Sequence, residues 1–157
     1  MSAVSRACRA ALFAVTLAVA VACGDDAGPT AAPGTYVLPR EDAEQYDTAY
    51  IAEVVADPPG DDLAEGAGEH VVIANNATIR IDMGGWWLEV DGERLPLGIG
   101  RQIDVDTTLR VHPGPGETDE DAVFVGLDQE VLDDDGGRVV LRDAAGTEVA
   151  RFDYPPD

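Results

Sequence analysis

Lysine is absent from this 157-residue chain: all ten basic residues are arginine, set against 31 Asp and Glu for a formal charge of −21. So large an excess of acid repels phosphate backbones and anionic headgroups, which excludes general nucleic-acid binding. Serine is confined to Ser2 and Ser5, and cysteine to Cys8 and Cys23. With residues 1–22 set aside, no serine and one thiol remain, so serine and cysteine triads are unavailable and no intramolecular disulfide can form. The two histidines, His70 and His112, lie far apart and lack a His-x-x-x-His or Cys-x-x-Cys partner. Zinc chemistry therefore has little support, and lone histidines on strands read as surface or rim residues. No run of ten or more residues keeps a 3.6 period, so long helices are not expected.

What is present begins with an address. Arg6 and Arg9 precede an apolar stretch from about Ala10 to Ala22, which has the parts of a secretory signal and falls short of the roughly 20 apolar residues of a spanning helix. It ends in Ala20-Val21-Ala22-Cys23-Gly24, the pattern of a bacterial lipobox. In that reading a peptidase cuts before Cys23, a diacylglycerol is carried on its sulfur, and the exported protein is anchored to the outer face of the cell membrane. Ordinary secretion competes, because Ala20-Val21-Ala22 also satisfies a small-x-small cleavage rule and Ala20 stands where a lipobox usually has Leu. The cysteine placed directly at the cut, followed by Gly24 and a solvated tail, weighs for the lipid. Residues 1–22 are then a signal peptide, 23–48 an acylated cysteine with a disordered acidic linker rich in Pro, Ala, Gly and Thr, and 49–157 one folded domain. Eight arginines against 31 acids leave the mature chain at −23.

From Tyr50 onward the pattern is short β-rich runs split by Gly, Pro, Asn and Asp, which predicts an all-β domain. The runs are Ile51–Ala56, Glu69–Asn75, Ile79–Asp82, Trp86–Val90, Arg94–Leu97, Arg101–Val105, Leu109–His112, Val123–Val125, Arg138–Arg142 and Val149–Tyr154. Alternation gives one inward set, with Val71, Ile73 and Asn75, then Trp86, Leu88 and Val90, then Val139 and Leu141, while His70, Glu89, Arg138 and Arg142 face water. Asp91-Gly92 predicts a tight antiparallel hairpin, and Gly146 a turn with positive φ. About nine strands in about 105 residues match an immunoglobulin-like β-sandwich in size.

These residues resemble the lamin tail domain family. The likeness rests on Ile51-Ala52-Glu53-Val54 with Asp57-Pro58 following, on Glu69-His70-Val71-Val72-Ile73-Ala74-Asn75, on Ile81-Asp82-Met83-Gly84-Gly85-Trp86-Trp87-Leu88, and on Val131-Leu132 leading to Gly137-Arg138-Val139-Val140-Leu141-Arg142-Asp143. Gly146 and Phe152-Asp153-Tyr154 close it. Gly-Trp-x-Leu is the most specific piece. Gly84 replaces a serine the family often has before Gly-Trp, and Gly136-Gly137 stands where Gly-Asp usually opens the late strand. The resemblance implies an immunoglobulin-like sandwich that binds or tethers, and it brings no catalytic residues.

Adjacent on one strand, Trp86 and Trp87 must point to opposite faces. Trp86 falls on the inward set, which leaves Trp87 outside, either as a partner-binding anchor or covered by a loop or an arginine arm. Asp57 with Asp61 and Asp62, the run Glu117 to Asp121, and Asp133-Asp134-Asp135-Gly136 are acid groups of the kind that chelate a hard cation. Asp133 and Asp135 resemble the opening of a calcium loop, although no bidentate Glu follows at the required spacing. The expectation is no cofactor: calcium is the candidate weighed here, and a solvated acidic turn is the reading preferred to it. The expectation is a non-enzymatic envelope lipoprotein whose partner is a protein or wall polymer. The alternative is an accessory or degenerate component of an exported hydrolase or nuclease system.

Overall fold

A computed structural model describes residues 31–155; Cys23, the expected signal peptide and the first part of the expected linker lie outside them. Eleven strands and one turn of helix follow in chain order: β1 (Thr35–Val37), α1 (Arg40–Ala43), β2 (Ala49–Val55), β3 (His70–Asn75), β4 (Ile81–Asp82), β5 (Trp87–Val90), β6 (Glu93–Pro96), β7 (Gln102–Ile103), β8 (Thr108–His112), β9 (Ala122–Phe124), β10 (Gly137–Arg142) and β11 (Glu148–Tyr154). They form a five-stranded sheet in the order β1-β2-β3-β8-β9, a four-stranded sheet in the order β11-β10-β5-β6, and a small β4-β7 ribbon. The domain is an immunoglobulin-like β-sandwich, with all pairings antiparallel except β8 with β9.

The expected alternation builds the core. Val71 and Ile73 of β3 meet Val111 and Leu109 of β8, and from the facing sheet come Leu88, Val90, Val139, Leu141 and Phe152, all buried. Fully burying each such side chain contributes about 1.5–3 kcal/mol before the entropy of ordering is counted. Strand β2 stays in phase with β3 through a bulge between Ile51 and Glu53, so that Ile51 and Val54 both turn inward. The β5-β6 hairpin closes on Asp91 and Gly92 at φ 47° and 93°, with Val90 opposite Glu93. Two consecutive positive φ values are what a right-twisted two-residue hairpin requires.

All ten expected runs contain strands. One further strand, β1, lies inside the segment expected to be linker. Thr35, Tyr36 and Val37 pair with Val55, Val54 and Glu53, and the Tyr36 ring packs 5.3 Å from that of Tyr154. The three residues of β1 are too few to show a period, and this strand exists because β2 offers it an edge. The short helix α1 and the stack of Tyr46 on Tyr50, 5.5 Å between centres, continue the folded chain into β2. The boundary expected at residue 49 therefore moves to about residue 32, where the Thr35 amide already donates to the Ala32 carbonyl.

The inward row of β3 ends in a polar residue. Asn75 is buried, and its Nδ2 donates to the carbonyls of Ile79 (2.9 Å), Ile103 (3.2 Å) and Asp104 (3.1 Å). Its Oδ1 accepts from the Ala77 amide at 2.8 Å. One side chain thus fixes the 76–80 turn and the end of β7 together. Asn75→Ala is expected to destabilise the domain by about 2–4 kcal/mol, through orphaned buried carbonyls. Asn75→Asp should cost more at pH 7, because a carboxylate offers those carbonyls no proton. Thermal melts between pH 7 and pH 4 check this: the gap between the two variants should narrow on acidification, as the introduced carboxylate takes up a proton that it can donate.

Candidate functional site

The outer face of the four-stranded sheet gathers four of the eight arginines that follow residue 22. Register explains it, since outward positions line up across neighbouring strands. Trp87 lies opposite Arg142 on one side and Pro96 on the other, and Glu89 lies between Val140 and Arg94. The Arg142 Nε donates to Glu89 at 2.6 Å, Arg138 to Asp153 at 2.5 Å, and Arg151 to Glu148 at 3.0 Å. Hydrogen bonding from Arg142 holds the Glu89 carboxyl below the usual carboxylate range. Val140 points outward among these arginines yet is buried, since arginine stems lie along apolar surface.

Trp87 stands on this outward face, as alternation requires, but its indole is half-buried. The guanidinium of Arg94 sits 3.9 Å above the ring centre, a cation–π contact. At the ring's edge Gly146, at φ 87°, leaves room where a Cβ would come within 3.4 Å of the indole. The surface here is a guanidinium stacked on an indole, and Arg94 forms no ion pair among the described residues. Trp86 packs against the core from just ahead of β5, only partly buried.

Acids gather elsewhere. Glu130 is raised in pKa mainly by the charge of Asp62 and then by partial desolvation, and Asp134 by partial desolvation and then by Asp57 and Asp62. Asp133 uses an Oδ1 lone pair on the Asp135 amide (2.9 Å) and its carbonyl on the Gly136 amide (3.1 Å), which closes a tight turn. Among the described residues no three His, Cys, Asp or Glu side chains converge to hold a metal ion. Beside this patch Glu69 is fully buried, and its two carboxylate oxygens accept from the amides of Val131 and Leu132, both at 2.8 Å. Desolvation nevertheless pushes its carboxyl up. Alternation along the Glu-x-Val-x-Ile-x-Asn strand could have marked Glu69 as inward; what it could not show was the loop that the carboxylate holds.

The two histidines separated in sequence are neighbours in space. Val71 pairs with Val111, which places His70 opposite His112, and His112 in turn pairs with Phe124 of β9. Ring centres are 4.8 Å apart in the first pair and 4.5 Å in the second, the latter stacked within 7°. His70, expected in water, is half-buried, and His112 is buried. Burial, helped by the neighbouring His70, pushes His112 down to about 4. A further open trough of about 690 Å³ lies between the β4-β7 ribbon and the 119–121 loop. Its arginines are engaged, Arg80 with Asp104 and Gln102, and Arg101 with the carbonyls of Asp119 and Glu120.

The acid patch generates a prediction with a definite sign. A carboxyl whose folded pKa is raised contributes least to stability once both states are ionised, and the deficit vanishes below its unfolded pKa. Glu130→Gln is therefore expected to raise Tm at pH 7.5, with the gain shrinking to nothing near pH 4 and falling with added salt. Melting curves of the two proteins across that range check it.

A model of the lamin tail domain matches residues 43–156, from the end of α1 to beyond β11. A comparison with curated proteins returns no match. With that match covering well over half of its length, and a sandwich of the expected kind beneath it, the chain belongs to the lamin tail domain family.

Proposed function

We propose that this chain is a non-enzymatic envelope lipoprotein. Acylated Cys23 holds the lamin tail domain at the outer face of the cell membrane, and the domain binds a protein or wall polymer through the face around Trp87. The observation that carries this reading is the outer face of the four-stranded sheet. On a chain of formal charge −21, Arg94, Arg138, Arg142 and Arg151 stand against Glu89, Glu148 and Asp153 there, so an incoming surface escapes the repulsion met elsewhere. Indole and guanidinium are also the groups that most often anchor interfaces. The family brings no catalytic constellation, and neither serine nor free cysteine is available within the domain for nucleophilic chemistry.

Anchoring follows from the same charge. The acidic domain gains nothing from anionic lipid, so the lipid chains must supply the membrane affinity. Each buried CH₂ contributes about 0.8 kcal/mol, and one chain binds only marginally, which makes two chains the minimum. Because the fold begins near residue 32, the tether from Cys23 is about nine residues, at most about 30 Å when extended.

Cys23→Ala is expected to move the protein from the membrane pellet to the soluble fraction, and retention in the pellet would count against the anchor. Trp87→Ala and Arg94→Ala, in the lipidated protein, should leave Tm within a few degrees while abolishing co-purification of envelope material after mild crosslinking. Unchanged capture by both variants removes this face from consideration. Hydrolysis of polysaccharide or nucleic acid by the purified chain would favour the accessory-hydrolase alternative.

A further inference from the structure

Each ring of the cross-strand histidine pair has a nitrogen that the fold leaves free. His70 Nδ1 lies 2.9 Å from the Gly68 carbonyl; a carbonyl only accepts, so Nδ1 carries the proton and Nε2 is left with a lone pair. On His112 Nδ1 is buried without any partner, so this ring too has a nitrogen that nothing in the fold engages. A ring nitrogen that donates to a backbone carbonyl while the other stays free is how metal-ligating histidines are oriented. An unpartnered atom in a residue only 3% exposed costs enough to require an occupant or an explanation.

Ring spacing agrees. An ion about 2.0–2.1 Å from one nitrogen of each imidazole, at a tetrahedral angle, puts the ring centres about 5 Å apart. The observed separation is 4.8 Å, with the planes inclined at 34°. Phe124, stacked on His112 and away from His70 in strand order, backs the pair with an apolar wall.

We propose that His70 and His112 form a two-histidine site for a borderline-soft divalent ion of the Cu²⁺ and Zn²⁺ class. No third protein ligand converges there among the described residues, so water completes the sphere from the side of the half-buried His70 ring, His112 being closed to solvent. Such a site is exchangeable and modest in affinity, and its preference runs with ligand softness: Cu²⁺ first, Zn²⁺ and Ni²⁺ next, and Ca²⁺ and Mg²⁺ excluded because they demand oxygen.

The test uses the full chain with Cys8 and Cys23 replaced by alanine, so that thiols cannot contribute. Melting curves at pH 7.5 with Cu²⁺, Zn²⁺, Ca²⁺ or Mg²⁺ should show a rise of several degrees for the first two once the ion is in large excess over its Kd. That rise should be lost in His70→Gln and in His112→Phe, the latter keeping a ring stacked on Phe124. No rise in the parent, or a rise that survives in both variants, overturns the proposal. Should a variant fail to fold, Cu²⁺ electron paramagnetic resonance on the parent decides: nitrogen hyperfine structure from imidazole supports the site, and an oxygen-only spectrum overturns it.

Discussion

Strand β3 carries an inward row that is apolar in the middle and polar at both ends, and the two sheets depend on how those ends are satisfied. At one end Glu69 takes the amides of Val131 and Leu132, which anchors the loop between β9 and β10. At the other, the Asn75 amide nitrogen donates to three carbonyls and its oxygen accepts from the Ala77 amide. Between them Val71 and Ile73 supply apolar contact that has no direction of its own. The polar ends supply direction, because a hydrogen bond fails within a few tenths of an ångström or some tens of degrees. A slip of one residue in β3 would put Glu69 and Asn75 on the outer face and take their side-chain partners from six backbone groups. Register across β2-β3-β8 is thus fixed by what lies beyond the strand as much as by what lies within it.

That register decides where the chemistry falls. Because Val71 faces Val111, the residues flanking them bring His70 and His112 together; because Leu88 faces both Leu95 and Leu141, Trp87, Arg142, Glu89 and Arg94 share one outer face. The histidine pair and the place of Arg142 beside Trp87 follow from pairing strands that are tens of residues apart, whereas Arg94 arrives through the local β5-β6 hairpin; a shift of one position would dissolve either cluster.

The limits of legibility follow from the same fact. Alternation, turn chemistry and the family-like strand placed ten runs, the Asp91-Gly92 hairpin and the positive φ of Gly146, because each of these is written within a few residues. Trp87 could be assigned to the outer face on strand parity alone. Its cover could not, since Arg94 reaches the indole only after the hairpin has folded. Strand β1 was hidden because three residues show no period and their stability lies in β2 and Tyr154. The histidines looked unrelated because 42 positions separate them, and nothing short of the β3-β8 register says that they meet. Asn75 was legible as inward; that it ties two turns to the core was not.

The two outer faces are covered in different ways, and the difference constrains what each can do. On the five-stranded sheet the row Val55, His70, His112 and Phe124 runs across four strands, and Val55 and His112 within it are buried; a large partner has no access to its centre. On the four-stranded sheet the cover is side chains alone, with three arginines paired to acids and one stacked on Trp87. Those exposed pairs are each worth little, about 0–1 kcal/mol, so exchanging an intramolecular carboxylate for an incoming one costs almost nothing. A surface docking there would trade ion pairs rather than strip water from bare hydrophobe, and its affinity would fall steeply with salt. The Arg94–Trp87 stack is the exception, because it holds a guanidinium that has no carboxylate to give up, and an acidic or hydroxyl-rich partner meets its first unopposed donor at that point.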